Sequence, residues 1–201
     1  MTDLLPDSLP DSLPNSPHDL LHAPDPVKAK ARRLKLMAFD VDGVLSDGTL
    51  FYTDEGTELK AFSSLDGLGL ELLRLSGVKV AIITGRRTRC VEIRMQSLGI
   101  DLLFEGVKDK QAVMHDLLAQ LGLQPEDAGF MGDDLIDLKV MATCGFAAAP
   151  ADAQEIVKRH ADLISRRPGG RGAVREICEF ILAAQGKLDD ALAPFLPPPL
   201  L

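Results

Sequence analysis

Short apolar runs recur through the middle of this chain, at 36–41, 78–83, 102–104, 128–131 and 145–148, with longer amphipathic stretches between them. The run Val78-Lys79-Val80-Ala81-Ile82-Ile83 is β-branched and almost continuously apolar, as a strand must be when both faces of its sheet are covered. The stretches at 67–75, 87–98, 109–121, 135–143, 153–160 and 173–184 space their apolar residues as helices do. Strand, helix, strand repetition implies right-handed crossovers, and so predicts an α/β fold with a doubly wound, mainly parallel sheet. One insertion breaks the rhythm. Two β-prone runs, 48–53 and 57–62, flank Asp54-Glu55-Gly56 and predict a projecting β-hairpin.

A parallel sheet brings the C-terminal ends of its strands to one edge, where α/β proteins keep their chemistry. Here those ends supply, in chain order, Asp40 and Asp42, then Thr84, then Lys110, then Asp133, Asp134 and Asp137. Several carboxylates beside a lysine and a hydroxyl suit an oxygen-rich Mg²⁺ site next to a phosphate cradle, and therefore phosphoryl transfer. Thr84-Gly85-Arg86 is expected at a helix N-terminus, where free backbone N–H groups favour an anion. Taken singly, each element has a plain structural reading. Asp-x-Asp-Gly is a common turn, Thr-Gly can cap a helix, Lys110 can be a solvated helix lysine, and Asp133-Asp134 can cap the helix that follows. Their joint occurrence at successive strand ends is the signal. An EF-hand is excluded, because Val44 takes the place of a ligand and no glutamate closes the loop.

Composition narrows the function classes. The 201 residues allow one domain with appendages. A net charge of −8 argues against a nucleic-acid partner, which needs an excess of Lys and Arg. No apolar run has the roughly 18 residues a membrane helix needs. The scattered Cys90, Cys144 and Cys178 form no Cys-x-x-Cys pair and read as buried free thiols, so a soluble cytoplasmic protein is expected. The degenerate repeat Leu5-Pro6-Asp7-Ser8, Leu9-Pro10-Asp11-Ser12, Leu13-Pro14-Asn15-Ser16 denies the start of the chain a helix or a central strand. His18 and His22, four apart in this Pro-rich stretch, read as solvated side chains. Residues 1–29 are expected to be a disordered tail, 30–188 the folded domain and 189–201 a second flexible tail.

The strings Asp40-Val41-Asp42-Gly43-Val44-Leu45, Ile82-Ile83-Thr84-Gly85-Arg86, Lys110 and Gly132-Asp133-Asp134-Leu135-Ile136-Asp137 resemble the four motifs of the haloacid dehalogenase-like phosphatases. More narrowly, Asp66-Gly67-Leu68-Gly69 and Gly169-Gly170-Arg171-Gly172-Ala173-Val174-Arg175-Glu176 resemble the 3-deoxy-D-manno-octulosonate 8-phosphate phosphatases. Leu65 and Ser46 depart from that family's pattern, standing where an arginine and a threonine are common. The resemblance implies a Mg²⁺-dependent phosphatase acting on a sugar-acid phosphate in lipopolysaccharide precursor synthesis. In that scheme Asp40 is the nucleophile and Asp42 the acid, then the base. Mg²⁺ is held by Asp40, the backbone carbonyl of Asp42 and Asp133. Thr84 and Lys110 hold the transferring oxygens, and Asp134 and Asp137 support them from behind. Asp66, Gly67, Gly85, Arg86 and Arg171 join Thr84 and Lys110 in binding substrate, with Gly169-Gly170-Arg171-Gly172 a mobile segment that brings in Arg171.

The stretch between Asp40 and Thr84 is too short to hold both a hairpin and a cap domain, so the site is expected to be uncapped. The resemblance implies a homotetramer whose hairpins pack together and whose neighbours complete each site. A nine-carbon keto-acid phosphate is the alternative substrate. A phosphorylated receiver domain fits less well, because there the lysine comes last, whereas Lys110 precedes Asp133-Asp134. A non-catalytic subunit fits less well too, since every catalytic position is filled.

Overall fold

The computed structural model describes residues 23–197. Its main sheet has six strands in the order β5-β4-β1-β6-β7-β8, every neighbouring pair parallel. These are β1 (Leu36–Phe39), β4 (Lys79–Ile83), β5 (Leu102–Phe104), β6 (Ala128–Met131), β7 (Phe146–Ala149) and β8 (Leu163–Ile164). The chain runs outward from β1 through β4 to β5, then returns to lay β6 on the other side of β1. That reversal opens a crevice beyond the ends of β4, β1 and β6.

Alternation along the strands builds two cores. Met37 and Phe39 of β1, with Val80 and Ile82 of β4, face the layer made by α1 (Asp25–Arg33), α2 (Ser64–Leu75), α3 (Arg89–Ser97) and α7 (Ala173–Ala184). Leu36 and Ala38, with Ala81 and Ile83, face α4 (Lys110–Leu121), α5 (Leu138–Thr143) and α6 (Glu155–His160). In the first layer α2 and α7 approach closely at Gly69, where a Cβ would come within 2.8 Å of the Arg175 backbone. The inserted hairpin is short, β2 (Phe51–Tyr52) pairing antiparallel with β3 (Glu58–Leu59).

Several sequence expectations shift. Helix α1 begins at Asp25, inside the stretch read as a tail. Its signals are a proline in the first turn, Asp25 beside it, and Lys30, Arg32 and Arg33 in the last turn, all favourable to the helix dipole. At the other end α8 (Leu188–Leu192) and a 3₁₀ turn at Ala193–Phe195 continue the structured chain past residue 188. Residues 1–22, with the Leu-Pro-Asp-Ser repeat, His18 and His22, and residues 198–201 lie outside the described residues. Strand β8 has only two residues, too few for a periodic signal. Among the cysteines only Cys178 is fully buried, while Cys90 and Cys144 are partly exposed, and all are free. Among the described residues no helix is long and apolar enough to cross a membrane.

Candidate active site

The crevice is floored by Asp40. Its backbone N–H donates to Met131 O at 3.0 Å, which locks the first residue beyond β1 against β6. The chain then coils tightly, the Val44, Leu45 and Ser46 amides all donating to Val41 O. Gly43 adopts φ +82°, and a Cβ there would lie 2.0 Å from Asp133 Oδ2. Only glycine lets this turn meet the loop after β6. Asp40, Asp42 and Gly43 line one wall of a cleft of about 250 Å³, Thr84, Gly85 and Arg86 a second, and Asp133 and Asp134 a third.

Lys110, at the first position of α4, is buried below this floor. Its ammonium lies 2.7 Å from Asp137 Oδ1 and 2.9 Å from Asp40 Oδ1, the second contact being an ion pair off the direction of a hydrogen bond. Burial alone disfavours the ammonium, but the charges of Asp40 and Asp137 outweigh it, so its pKa is raised and the lysine stays charged. Asp137 is fully buried. Its Oδ2 accepts from the Asp133 and Asp134 amides at 3.1 and 3.3 Å, which shapes the loop that presents Asp133.

The carboxylates strain against one another. Asp40 is pushed up to about 6, first by burial and then by the charge of Asp137, with Lys110 opposing. Asp133 is pushed up to about 8 by burial, then by Asp40, Asp137 and Asp134. Oxygens of Asp40, Asp133 and Asp137 lie within 4.8 Å of one another. Asp137 already accepts three hydrogen bonds, whereas Asp133 Oδ1 is buried with no hydrogen-bond partner and Asp40 Oδ1 has only the off-axis ammonium. Crowded carboxylates with uncommitted oxygens, all hard ligands, suit a divalent cation such as Mg²⁺. Asp40 and Asp133 fit as its ligands, and Asp137 fits as the brace behind them.

The structure thus brings Asp40, Asp42, Thr84, Gly85, Arg86, Lys110, Asp133, Asp134 and Asp137 to one edge. Thr84 sits where β4 ends, held by its amide to Phe104 O and by its carbonyl from the Val107 amide. The helix expected to begin at Arg87 begins at Arg89, so Thr84-Gly85-Arg86 is a turn ahead of the helix rather than its N-terminus. Arg86 does not point free into the cleft. Its Nη2 donates to Tyr52 Oη and Glu58 Oε2, both at 2.6 Å. Asp134 is exposed and caps the 3₁₀ turn through Leu135 N.

Three expected substrate contacts lie elsewhere. Asp66 is 1% exposed and accepts from the Gly172 and Arg175 amides at 3.1 and 2.9 Å, so it fastens the start of α7 rather than meeting substrate. Gly67 beside it is buried, and a Cβ there would lie 2.1 Å from the Arg94 guanidinium. The Gly169–Gly172 loop is close-packed rather than loose. Gly169 N donates to Asp152 Oδ1, Gly170 N to Val44 O and Gly172 N to Asp66 Oδ2. Its glycines serve close approach, since a Cβ on Gly169 would fall 1.8 Å from Gly43 O. Arg171 turns outward, 3.5 Å from Asp47, and does not line the cleft.

Sequence reasoning missed Lys60 and Glu58. The side chain of Lys60 is 1% exposed, bonded to Asp42 Oδ1 and 2.7 Å from Glu58 Oε1. Charges at i and i+2 on a hairpin strand share one face, and that spacing was the available sign.

Residues 100–177 match the haloacid dehalogenase-like hydrolase family. The 3-deoxy-D-manno-octulosonate 8-phosphate phosphatase KdsC of Escherichia coli K12 is 48% identical over 165 residues, 82% of this chain and 88% of the relative. The crystal structure of the phosphatase of that name from Yersinia pestis superposes with a TM-score of 0.81 at 48% identity, covering 82% of this chain and 89% of its own. The one from Moraxella catarrhalis, in complex with magnesium ion, phosphate ion and KDO, gives 0.83 at 44% identity over 85% and 98%. The chain therefore belongs to the 3-deoxy-D-manno-octulosonate 8-phosphate phosphatases, within the haloacid dehalogenase-like hydrolases.

Proposed function

We propose that this protein is a Mg²⁺-dependent phosphoric monoester hydrolase that converts 3-deoxy-D-manno-octulosonate 8-phosphate to the free sugar acid and phosphate. The observation that carries the reading is the pairing of buried Asp40 with half-buried Asp133, each with a buried Oδ1 that has no hydrogen-bond partner, set beside Lys110 at the solvent-facing cleft. The Moraxella relative holds magnesium, phosphate and KDO together.

Asp40 attacks phosphorus, a P–O bond forms to its carboxylate, and the ester P–O bond breaks. Asp42 gives its proton to the departing sugar oxygen. It then takes a proton from the water that attacks the aspartyl-phosphate, which releases phosphate and restores Asp40. Lys110 and Thr84 offer donors to the transferring oxygens. Asp137 keeps Lys110 in place and shapes the Asp133 loop. Asp40, Asp133 and the Asp42 carbonyl would hold Mg²⁺, which when bound neutralises charge between the nucleophile and a phosphate that would otherwise repel it.

Among the described residues no cap covers the cleft, and the hairpin beside it exposes Phe51 and Leu59 on its outer face at 51 and 52%. This apolar face supports assembly into a homotetramer, with Arg171 available to a neighbour's cleft. Phe51→Glu should lower the mass measured in solution; an unchanged mass would reject that assembly. The free thiols support a cytoplasmic setting, and the product suits lipopolysaccharide precursor synthesis.

The test is phosphate release from 3-deoxy-D-manno-octulosonate 8-phosphate with Mg²⁺, run beside a nine-carbon keto-acid phosphate. Turnover that prefers the eight-carbon substrate and vanishes in Asp40→Asn is expected. Equal or better use of the nine-carbon ester, or activity surviving Asp40→Asn, rejects the reading.

A further inference from the structure

The hairpin has two unlike faces. Outward it shows Phe51 and Leu59, about half exposed. Inward it sends Tyr52, Glu58 and Lys60 toward the first catalytic loop. The Lys60 ammonium is sealed from solvent and has two carboxylate partners, Asp42 and Glu58. Glu58 in turn holds Arg86 at 2.6 Å, Tyr52 Oη is a second acceptor for the same guanidinium, and Arg86 Nε lies 3.8 Å from Asp42 Oδ2. The result is a closed ring of charges, Asp42–Lys60–Glu58–Arg86, that joins the hairpin to the loop after β4.

Burying an ammonium costs several kcal/mol unless it is well paired, so a buried lysine needs a reason. Lys60 does not line the cleft. What it does is fasten one oxygen of Asp42, Oδ1, which also receives a weak contact from Ser46 Oγ at 3.5 Å. The other oxygen, Oδ2, is left on the side of Arg86 and the cleft. Without Lys60 the Asp42 carboxylate would have only Ser46 and the distant Arg86 to set its rotamer, and a proton-transfer group must sit within hydrogen-bonding reach of its target.

We propose that Lys60, held by Glu58, is a positioning residue that fixes Asp42 so that Oδ2 faces the ester oxygen. The inference rests on Asp42 being the acid and base of the proposed reaction. It makes the hairpin part of the catalytic apparatus, since the segment that shows an apolar face outward also sets the proton-transfer group.

A double-variant cycle tests this in the full-length protein with Mg²⁺, using Lys60→Met, Asp42→Asn and the pair. Asp42→Asn should lower kcat by about 10²–10⁴-fold, the usual range for an acid–base group. Lys60→Met should lower kcat about 10- to 100-fold with KM changed less than about threefold, and Lys60→Arg should recover most of the loss. In the Asp42→Asn background, Lys60→Met should cost less than about twofold, because a positioning residue has nothing left to position. A Lys60→Met loss that persists undiminished in that background, or that appears in KM alone, overturns the proposal. If Lys60→Met does not fold, judged by its thermal midpoint, Glu58→Gln replaces it in the same cycle under the same criteria. Each variant is also assayed on 4-nitrophenyl phosphate. A wild-type protein that ignores the sugar-acid phosphate but cleaves this ester defeats the substrate assignment and leaves the cycle able to judge Lys60.

Discussion

Asp137→Asn isolates the brace behind the site, because the change preserves shape and removes charge. The carboxylate accepts Lys110 Nζ on Oδ1 at 2.7 Å and the Asp133 and Asp134 amides on Oδ2 at 3.1 and 3.3 Å. It has no space to swing away, since a Cβ on Gly132 would already lie 2.4 Å from Asp137 Cβ. The amide of asparagine can satisfy only one side. With its oxygen toward Lys110, its NH₂ confronts two backbone donors, and reversed, it confronts the ammonium. Either way at least one hydrogen bond to a charged group is lost, about 1.5–3 kcal/mol, and a buried donor is left unmet, about 1–3 kcal/mol. One compensation exists, because Asp137 is among the charges that push up Asp40 and Asp133, and removing it eases that repulsion. A net destabilisation of about 3 kcal/mol is expected, a large part of the 5–15 kcal/mol typical of a domain. For a chain of this length that lowers the thermal midpoint by about 10 °C. Calorimetry at pH 7 without metal reads it directly, and a shift below about 2 °C would show that Asp137 does not brace Lys110 and the Asp133 loop.

Two further outcomes follow from the same geometry. Asp40 and Asp133 have folded pKa values near 6 and 8, above their ordinary 3.8. Their contribution to the stability of the metal-free protein is therefore fully present below about pH 4 and lost as pH rises through 6 and 8. A divalent cation held by Asp40 and Asp133 needs them ionised, so the rise in thermal midpoint on adding MgCl₂ should be several degrees larger at pH 8 than at pH 5.5; an equal rise at both would show that these carboxylates do not hold the ion. Asp66→Ala should strip the Gly172 and Arg175 amides of their acceptor. Burial raises the Asp66 pKa and so offsets part of what its charge gives. The expected cost is still about 2–4 kcal/mol in urea unfolding, and an unchanged midpoint would contradict the helix-fastening role.

The parallel sheet was legible because β1, β4 and β6 are apolar apart from Lys79 at the start of β4, and each stops within two residues of a polar side chain, so both the strand and its working end are written locally. The gathering of Asp40, Thr84, Lys110 and the Asp133 loop at one sheet edge was legible for the same reason. What escaped depends on partners far along the chain. Asp66 looks like a residue of a substrate motif until its acceptor oxygens are seen to serve amides 106 and 109 positions away. Lys60 looks like a solvated residue of the hairpin, since its spacing from Glu58 is the one local sign and nothing local says that Asp42 is its second partner. Helix α1 carries ordinary start and stop signals that the preceding proline-rich repeat obscured. The Gly169–Gly172 glycines show how composition misleads, because the same residues serve looseness in one setting and tight contact in another.

That last loop also has a bearing on timing. Gly169 presses on Gly43 O and Gly170 donates to Val44 O, so the turn that follows Asp40 is completed by residues more than a hundred positions downstream. Chains are made from the N-terminus onward, so the Asp40 loop is synthesised well before the Gly169–Gly172 stretch. It cannot reach its final shape until the stretch leading into α7 has emerged. A growing chain thus carries Asp40 without the backbone that fixes its loop until the stretch leading into α7 arrives, and the site is completed by a segment made long after it.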